Sequence, residues 1–237
     1  MLRLEDVTIR FGGLTAVNRV SMEIASHEVV GLVGPNGAGK TTLFNAISGL
    51  VKPSGGQIIF DSVNVLKTSL HARARLGIGR SFQIPQPMHE LTVRENLLVA
   101  QRFGTGKVVP GKVDEILDFL GLADKAGCNA ATELALSELK ALEVAKALAI
   151  APKLLLLDEV LAGLETNGKR RFMQMLTALH KKFGIGILII EHDIETISKL
   201  CSRVCVLNFG ELIADGTPEQ VFSDPQVIKS YTGEQHA

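Results

Sequence analysis

Residues 34–41 read GPNGAGKT, preceded at 28–33 by EVVGLV and followed by the pattern TTLFNAISGL from Thr41. The first flank is a short, buried strand. The second has helical spacing and is closed by Gly49 and Pro53. A strand that turns through G-x-x-x-x-G-K-[ST] into a helix is built to hold phosphate. Glycines let the backbone wrap close to phosphate oxygens, because a Cβ would clash and φ must turn positive. The loop N–H groups and the helix N-terminus supply partial positive charge. Lys40 reaches the β- and γ-phosphates, and the Thr41 hydroxyl is offered to Mg²⁺.

Three further stretches carry chemistry of the same kind. LLLLDE at 154–159 is a buried strand ending in two carboxylates. In an α/β sheet that end is the edge where ligands bind. Asp158 would hold Mg²⁺ through water, and Glu159 would orient or deprotonate an attacking water. LIIEHDI at 188–194 is a second buried strand, ending at Glu191 and His192. A histidine there can donate to a γ-phosphate, although alone it would read as an ordinary rim histidine. In GRSFQIPQP, at 79–87, Gln83 offers an amide that could touch Mg²⁺ or the water.

Around these motifs the chain alternates strands and helices at both ends and turns helical in the middle. The first 30 residues read as strands, with turns at Gly12-Gly13 and Ser26-His27. GGQIIFD is another strand. From about Ile84 to Ala151 apolar residues recur at three and four, which predicts helices at 92–102, 112–121 and 138–150, with GTGKVVPG as a loop. Beyond Pro152 the spacing predicts strands at 153–157, 185–190, 203–207 and 210–214, and helices at 168–183 and 193–200. Buried strands flanked by helices argue a largely parallel sheet covered on both faces. The tail GEQHA is expected to fray.

The bulk composition narrows the class. The 237 residues are 46% hydrophobic, enough for a sizeable core. Lys+Arg and Asp+Glu both number 25, so net charge predicts neither nucleic acid nor an anionic membrane as partner. Three cysteines describe no disulfide framework. The pattern CSRVC, at 201–205, lacks a matching Cys/His pair, so Cys201 and Cys205 are expected as buried thiols in a reducing cytoplasm. MLRLEDVTIR alternates like a strand and is not a signal peptide. No apolar run is long enough to span a bilayer.

Together these motifs resemble the ATP-binding subunits of ABC transporters, in the family's order and over essentially the whole chain. Residues 34–41 match the P-loop, Gln83 the Q-loop, 134–138 the signature region, Asp158–Glu159 Walker B, AGLE at 162–165 the D-loop, and His192 the switch histidine. Within that family, GRSFQIPQP, LTVRENLLVA and the tail GTPEQVFSDPQVIKSYTG are similar to the ATPases of branched-chain amino acid importers, with importers of urea and other amides nearby. The resemblance implies a RecA-like P-loop NTPase core (1–83 and 152–237) with an antiparallel β subdomain and an inserted α-helical subdomain (84–151), forming a single ABC domain. It implies ATP and Mg²⁺, with Gly34, Pro35, Asn36, Gly37, Ala38, Gly39, Lys40, Thr41 and Thr42 on the nucleotide. Thr41, Gln83 and Asp158 would attend the metal, and Glu159, His192 and Gln83 the hydrolysis. Phe11 would stack on the base; it reads equally well as a core residue.

The implied partners are membrane permeases, a second ATPase subunit that is identical or different, and indirectly a solute-binding protein. The chain would sit in the cytoplasm on the inner face of the membrane. A DNA-repair or translation ATPase is disfavoured, because such chains add coiled coils, zinc sites or a second cassette.

The resemblance breaks chiefly at the signature. Where the family reads L-S-G-G-Q or a variant, this chain reads Leu134-Ala135-Leu136-Ser137-Glu138. The family's glycines let that loop lie against the γ-phosphate of ATP held by the opposite subunit. Ser137 is a good N-cap type, so it is expected to start the following helix. Val160 replaces the usual Pro after Walker B, and Glu165 the usual Asp or Asn of the D-loop. A working ATPase is the leading reading; an ATP-binding regulatory subunit with little hydrolysis is the alternative.

Overall fold

The computed structural model describes residues 1–232 in two compact units, one of Met1–Leu70 and the residues from Gly186 on, the other of His71–Ile185. The tail GEQHA, expected to fray, lies outside the described residues. The first stretch carries β1 (Leu2–Phe11), β2 (Leu14–Ile24), β3 (Val29–Val33), α1 (Lys40–Ser48), β4 (Gly55–Phe60) and β5 (Val63–Asn64). The middle carries α2 (Leu70–Leu76), β6 (Ile78–Arg80), α3 (Val93–Thr105), α4 (Pro110–Phe119), α5 (Leu136–Ala149), β7 (Leu154–Asp158) and α6 (Thr166–Phe183). The last stretch carries β8 (Gly186–Ile190), α7 (Ile194–Leu200), β9 (Arg203–Asn208), β10 (Glu211–Gly216), α8 (Pro218–Phe222) and α9 (Pro225–Thr232).

In the first unit an antiparallel sheet runs in the order β2-β1-β4-β5. Its inward residues change parity along each strand. Leu2 and Leu4 are buried, then Val7 and Ile9; Val17 is buried, then Val20 and Met22. A β-bulge causes the switch: the register slips between Leu4 and Val7, and Asp6 and Arg19 sit at φ 47° and 49°. The other sheet portion of this unit is ordered β10-β9-β3-β8. There β3 is parallel to both β8 and β9, with Val30 opposite Leu188 and Gly31 opposite Val204. Val30, Leu32, Ile187–Ile190 and Val204–Leu207 are all buried, as strands covered on two faces require.

In the second unit β6 and β7 are parallel, with Ile78 opposite Leu154. Helices α3, α4 and α5 pack together around Val93, Leu97, Val113, Ile116, Leu142 and Val144. Thr92 caps α3 by accepting from Glu95 N–H, while the Glu95 carboxylate accepts from Thr92 N–H.

The structure departs from expectation in specific places. GTGKVVPG is not all loop: α3 runs to Thr105, closed by Gly106 at φ 74°, and α4 already begins at Pro110. Proline fits a first helical position, because that N–H has no helical partner and φ is preset. Helix α2 and strand β6 have no period of their own to read. Three residues of β6 form a strand only through their hydrogen bonds to β7. The buried-thiol expectation holds for Cys201 and Cys205, whereas Cys128 is half-buried. Burial, with help from Glu191, pushes the Cys201 thiol up to about 12.

Candidate functional site

The two compact units each hold part of the motif set. In the first, β3 delivers the chain to Gly34 at φ 143°, and the loop ends on Gly39 at φ 104°, which is the N-cap of α1. Both glycines are obligatory for packing as well as for φ. A Cβ on Gly34 would lie 2.0 Å from the Leu207 carbonyl oxygen, and one on Gly39 would lie 2.4 Å from that of Ala16. The loop is further tied down where Gly210 N–H donates to the Ala38 carbonyl at 3.0 Å. Lys40 is only 6% exposed, and its ammonium donates to the carbonyls of Gly34 (2.7 Å) and Pro35 (2.9 Å). Asn36, Gly37 and Thr41 are exposed, Pro35, Gly39 and Thr42 half-buried, Ala38 buried.

The start of α1 has no side-chain cap and no acidic residue in its first turn. A helix start left open in this way, under a buried ammonium, suits an anion. Phe11, at the end of β1, is 50% exposed, so the core reading of it is excluded. His192 is exposed just beyond β8. The turn that carries it is fixed by Asp193, which accepts from Glu195 N–H at 3.1 Å and from the Thr196 hydroxyl at 2.8 Å.

In the second unit β7 is buried throughout and ends on Asp158. Its carboxylate pairs with Arg80 from β6 at 3.2 Å, and both side chains are almost fully buried. Burial pulls the Arg80 pKa down, and Asp158 opposes that pull. Glu159 follows at φ 49°, an uncommon left-handed conformation for a residue with a side chain. Its carboxylate accepts from the Gln83 amide nitrogen at 2.6 Å. The structure thus brings together Gln83 and Glu159, which are 76 residues apart. With its nitrogen so engaged, Gln83 has its amide oxygen for a cation.

Among the described residues no cluster of three His, Cys, Asp or Glu could by itself hold a metal. Mg²⁺ keeps waters and phosphate oxygens and takes one or two protein ligands. In the second unit the Gln83 amide oxygen and the Asp158 carboxylate, and in the first the Thr41 hydroxyl, are each hard oxygen donors of the kind such an ion takes.

The signature region is not capped as expected. Helix α5 begins at Leu136 with Ala135 as N-cap, so Ser137 lies inside the first turn and does not cap it. The reason is Glu138, whose carboxylate accepts from Ala135 N–H at 2.8 Å. That is half of a capping box, complete except for the oxygen a methyl group cannot supply. Leu136 is 45% exposed, and its Cδ2 stands 3.3 Å from where a Cβ on Gly163 would be. In the 162–165 stretch, Glu165 is the N-cap of α6 with no side-chain cap bond.

Sequence reasoning missed Arg80, Lys140, Glu143 and Lys146. Glu143 accepts from Gln86 N–H at 2.7 Å, Lys146 donates to the Gln86 carbonyl at 2.6 Å, and the two pair at 2.5 Å. Lys140 donates to the Glu159 carbonyl at 3.1 Å. The signal for the three in α5 was the spacing of three, three in ELKALEVAKAL, which sets charges on one helix face among apolar neighbours; Arg80 had none.

A strand–glycine loop–lysine helix on a parallel sheet, with an acidic strand end elsewhere in the fold, defines a P-loop nucleotide-binding domain. Comparison with known proteins narrows it. Residues 17–162 match the family model described as ABC transporter, and 211–237 match that of the branched-chain amino acid ATP-binding cassette transporter. The chain is 36% identical to the high-affinity branched-chain amino acid transport ATP-binding protein LivG of Escherichia coli K12, covering 99% of this chain and 98% of that one. BraF of Pseudomonas aeruginosa, of the same description, is equally similar, at 36% over the same shares. The lipopolysaccharide export system ATP-binding protein LptB of Haemophilus influenzae is 35% identical, over 99% and 98%. Among solved structures, the ADP conformation of MJ1267, an ATP-binding cassette of an ABC transporter, superposes with TM-score 0.88 at 31% identity over 99% of each chain. The dimeric cassette MJ0796 does so with TM-score 0.83 at 25% identity, over 92% and 99%. The chain belongs to the ABC transporter family, as an ATP-binding, ATP-hydrolysing subunit. Among the described residues no helix is long and apolar enough to cross a membrane.

Proposed function

We propose that the chain powers an importer of branched-chain amino acids or similar small polar solutes, as a peripheral subunit on the inner face of the cell membrane. The observation that carries this is the pairing of a built phosphate loop with a Gln83–Glu159 hydrogen bond in a chain whose length is almost wholly matched by LivG and BraF. The match of the tail to the branched-chain amino acid model supports the same substrate class.

In this reading the loop backbone of residues 34–39, with Lys40, Thr41 and Thr42, surrounds the phosphates, and Phe11 meets the base. Thr41, Gln83 and Asp158 hold Mg²⁺. Bound there, the ion would supply positive charge against the phosphates. Arg80 keeps the Asp158 carboxylate oriented. Glu159 takes a proton from the attacking water, and Gln83 fixes the carboxylate that does so. His192 donates to the γ-phosphate. The helical stretch 84–151, as an inserted subdomain, and the loop at Gln83 dock on the permeases, which in turn answer to a solute-binding protein.

The partner is a second, different ATPase. Leu136 and Ser137 place side chains where a glycine backbone would approach the opposite subunit's phosphate, so two copies of this chain would impair both of their shared sites. A partner with an intact signature leaves hydrolysis at this chain's own loop. Purifying the tagged chain from membranes tests the assignment. Recovery of permeases together with a second ATPase carrying glycines in its signature is expected. ATP turnover of that complex, reconstituted with its binding protein, should rise with leucine, isoleucine or valine. Recovery of permeases with this chain alone would overturn the mixed pair, and stimulation by an unrelated solute would overturn the substrate class.

A further inference from the structure

We propose that Lys140 is a positioning residue for Glu159, and that Glu143 and Lys146 complete the same device by gripping the loop that carries Gln83. The proposal rests on the reading of Glu159 as the base. Glu159 is held at both ends. Its carbonyl accepts from the Lys140 ammonium at 3.1 Å and from Ala162 N–H at 3.2 Å; its carboxylate accepts from Gln83 at 2.6 Å. Its φ of 49° is a conformation a side-chain-bearing residue keeps only when its surroundings over-determine it. Lys140 is 5% exposed and Glu143 3%. Burying such charges is costly unless they are paired and hydrogen-bonded, and here each is spent on the catalytic turn or on the loop beside it.

The three side chains lie at i, i+3 and i+6, so one face of α5 reaches both supports of Glu159. Lys140 holds the main chain directly. Glu143 and Lys146 hold both main-chain polar groups of Gln86, three residues beyond Gln83, and so keep the Gln83 amide on the carboxylate. Helix α5 starts at the altered signature, Leu134–Glu138. A rotation or shift of that start, when it meets a partner subunit, therefore reaches this chain's own Glu159 through a rigid helix. The altered signature is thereby the distal end of a lever on its own subunit's chemistry, apart from any phosphate it touches.

The test compares Lys140→Met, Lys140→Arg and Glu143→Gln in the full chain. Lys140→Met should lower kcat on the order of 10- to 100-fold with KM for ATP nearly unchanged, because the base is displaced and the phosphate loop is not. Lys140→Arg should restore much of it, since a guanidinium can still donate to the carbonyl. Glu143→Gln should fall between. Hydrogen exchange supplies a readout independent of turnover: the peptide spanning 158–163 should exchange faster in Lys140→Met while peptides within α5 keep wild-type protection. Wild-type kcat and unchanged exchange at 158–163 in Lys140→Met would overturn the proposal, as would equal loss of protection throughout α5. Glu159→Gln is run alongside. Retained hydrolysis there would sink the assignment of Glu159 as base, while the exchange result would still decide whether Lys140 holds the turn.

Discussion

Two helix starts in this protein do opposite things with the same physics. At α1 the first turn has no acid and no side-chain cap, glycine occupies the N-cap, and a buried lysine leans back over the loop. At α5 the N-cap is alanine, and Glu138 brings a carboxylate onto the Ala135 N–H, with Lys125 3.9 Å from that acid. Each end carries the partial positive charge of aligned peptide dipoles. One keeps it for an incoming anion. The other has already satisfied part of it from within. Two neighbouring side chains, Leu136 and Ser137, then stand on the approach. What distinguishes a phosphate-binding helix start from an ordinary one is thus what is left off, more than what is added.

The largest expected effect breaks the first member of the comparison. Lys40→Ala removes the ammonium that the loop carbonyls hold, and turnover should fall on the order of 10²–10³-fold, with labelled ATP bound far more weakly in a fluorescence titration. Near-normal affinity would mean that the open helix start alone holds the nucleotide. Next comes conversion of the second start toward the first. Leu136→Gly with Ser137→Gly should raise the turnover of the isolated chain by up to about 10²-fold, the range in which a lost transition-state donor is felt. Turnover unchanged by the double substitution would sink the idea that this loop limits hydrolysis. The smallest effect concerns the cap. Ala135→Ser supplies the missing oxygen of the Glu138 half-box and should stabilise the protein by about 1 kcal/mol, read as a shift in urea midpoint. No shift would indicate that Glu138 alone already satisfies the helix start.

How much of this was legible in the sequence depends on the range of the interactions. The phosphate loop could be read almost atom by atom, because its strand, glycines and helix are local and contiguous. Asp158 and Glu159 could be placed at a strand end because four leucines precede them. The hydrogen bond of Gln83 to Glu159 could not be read, since it joins positions 76 apart. Nor could Arg80 be paired with Asp158, because β6 is three residues long and exists only beside β7. The start of α5 was misplaced for a chemical reason. Serine is the better capping residue in isolation, but a glutamate three residues beyond alanine accepts from the Ala135 N–H and so favours a helix that starts two residues earlier. The charged residues inside α5 could not be assigned partners either, because Gln86 and the Glu159 carbonyl are brought to them only by the fold.

The seating of Gly34 and Gly39 has a consequence for inheritance. Each would drive a new methyl group into a main-chain carbonyl, at Leu207 and at Ala16, and main chain in a paired strand cannot step aside as a side chain can. The two positions are therefore barred to drift by the architecture itself. A lineage that ceased to burn ATP would be free to lose Lys40 long before it could lose either glycine, so the loop would outlive its purpose as a fossil in the sheet.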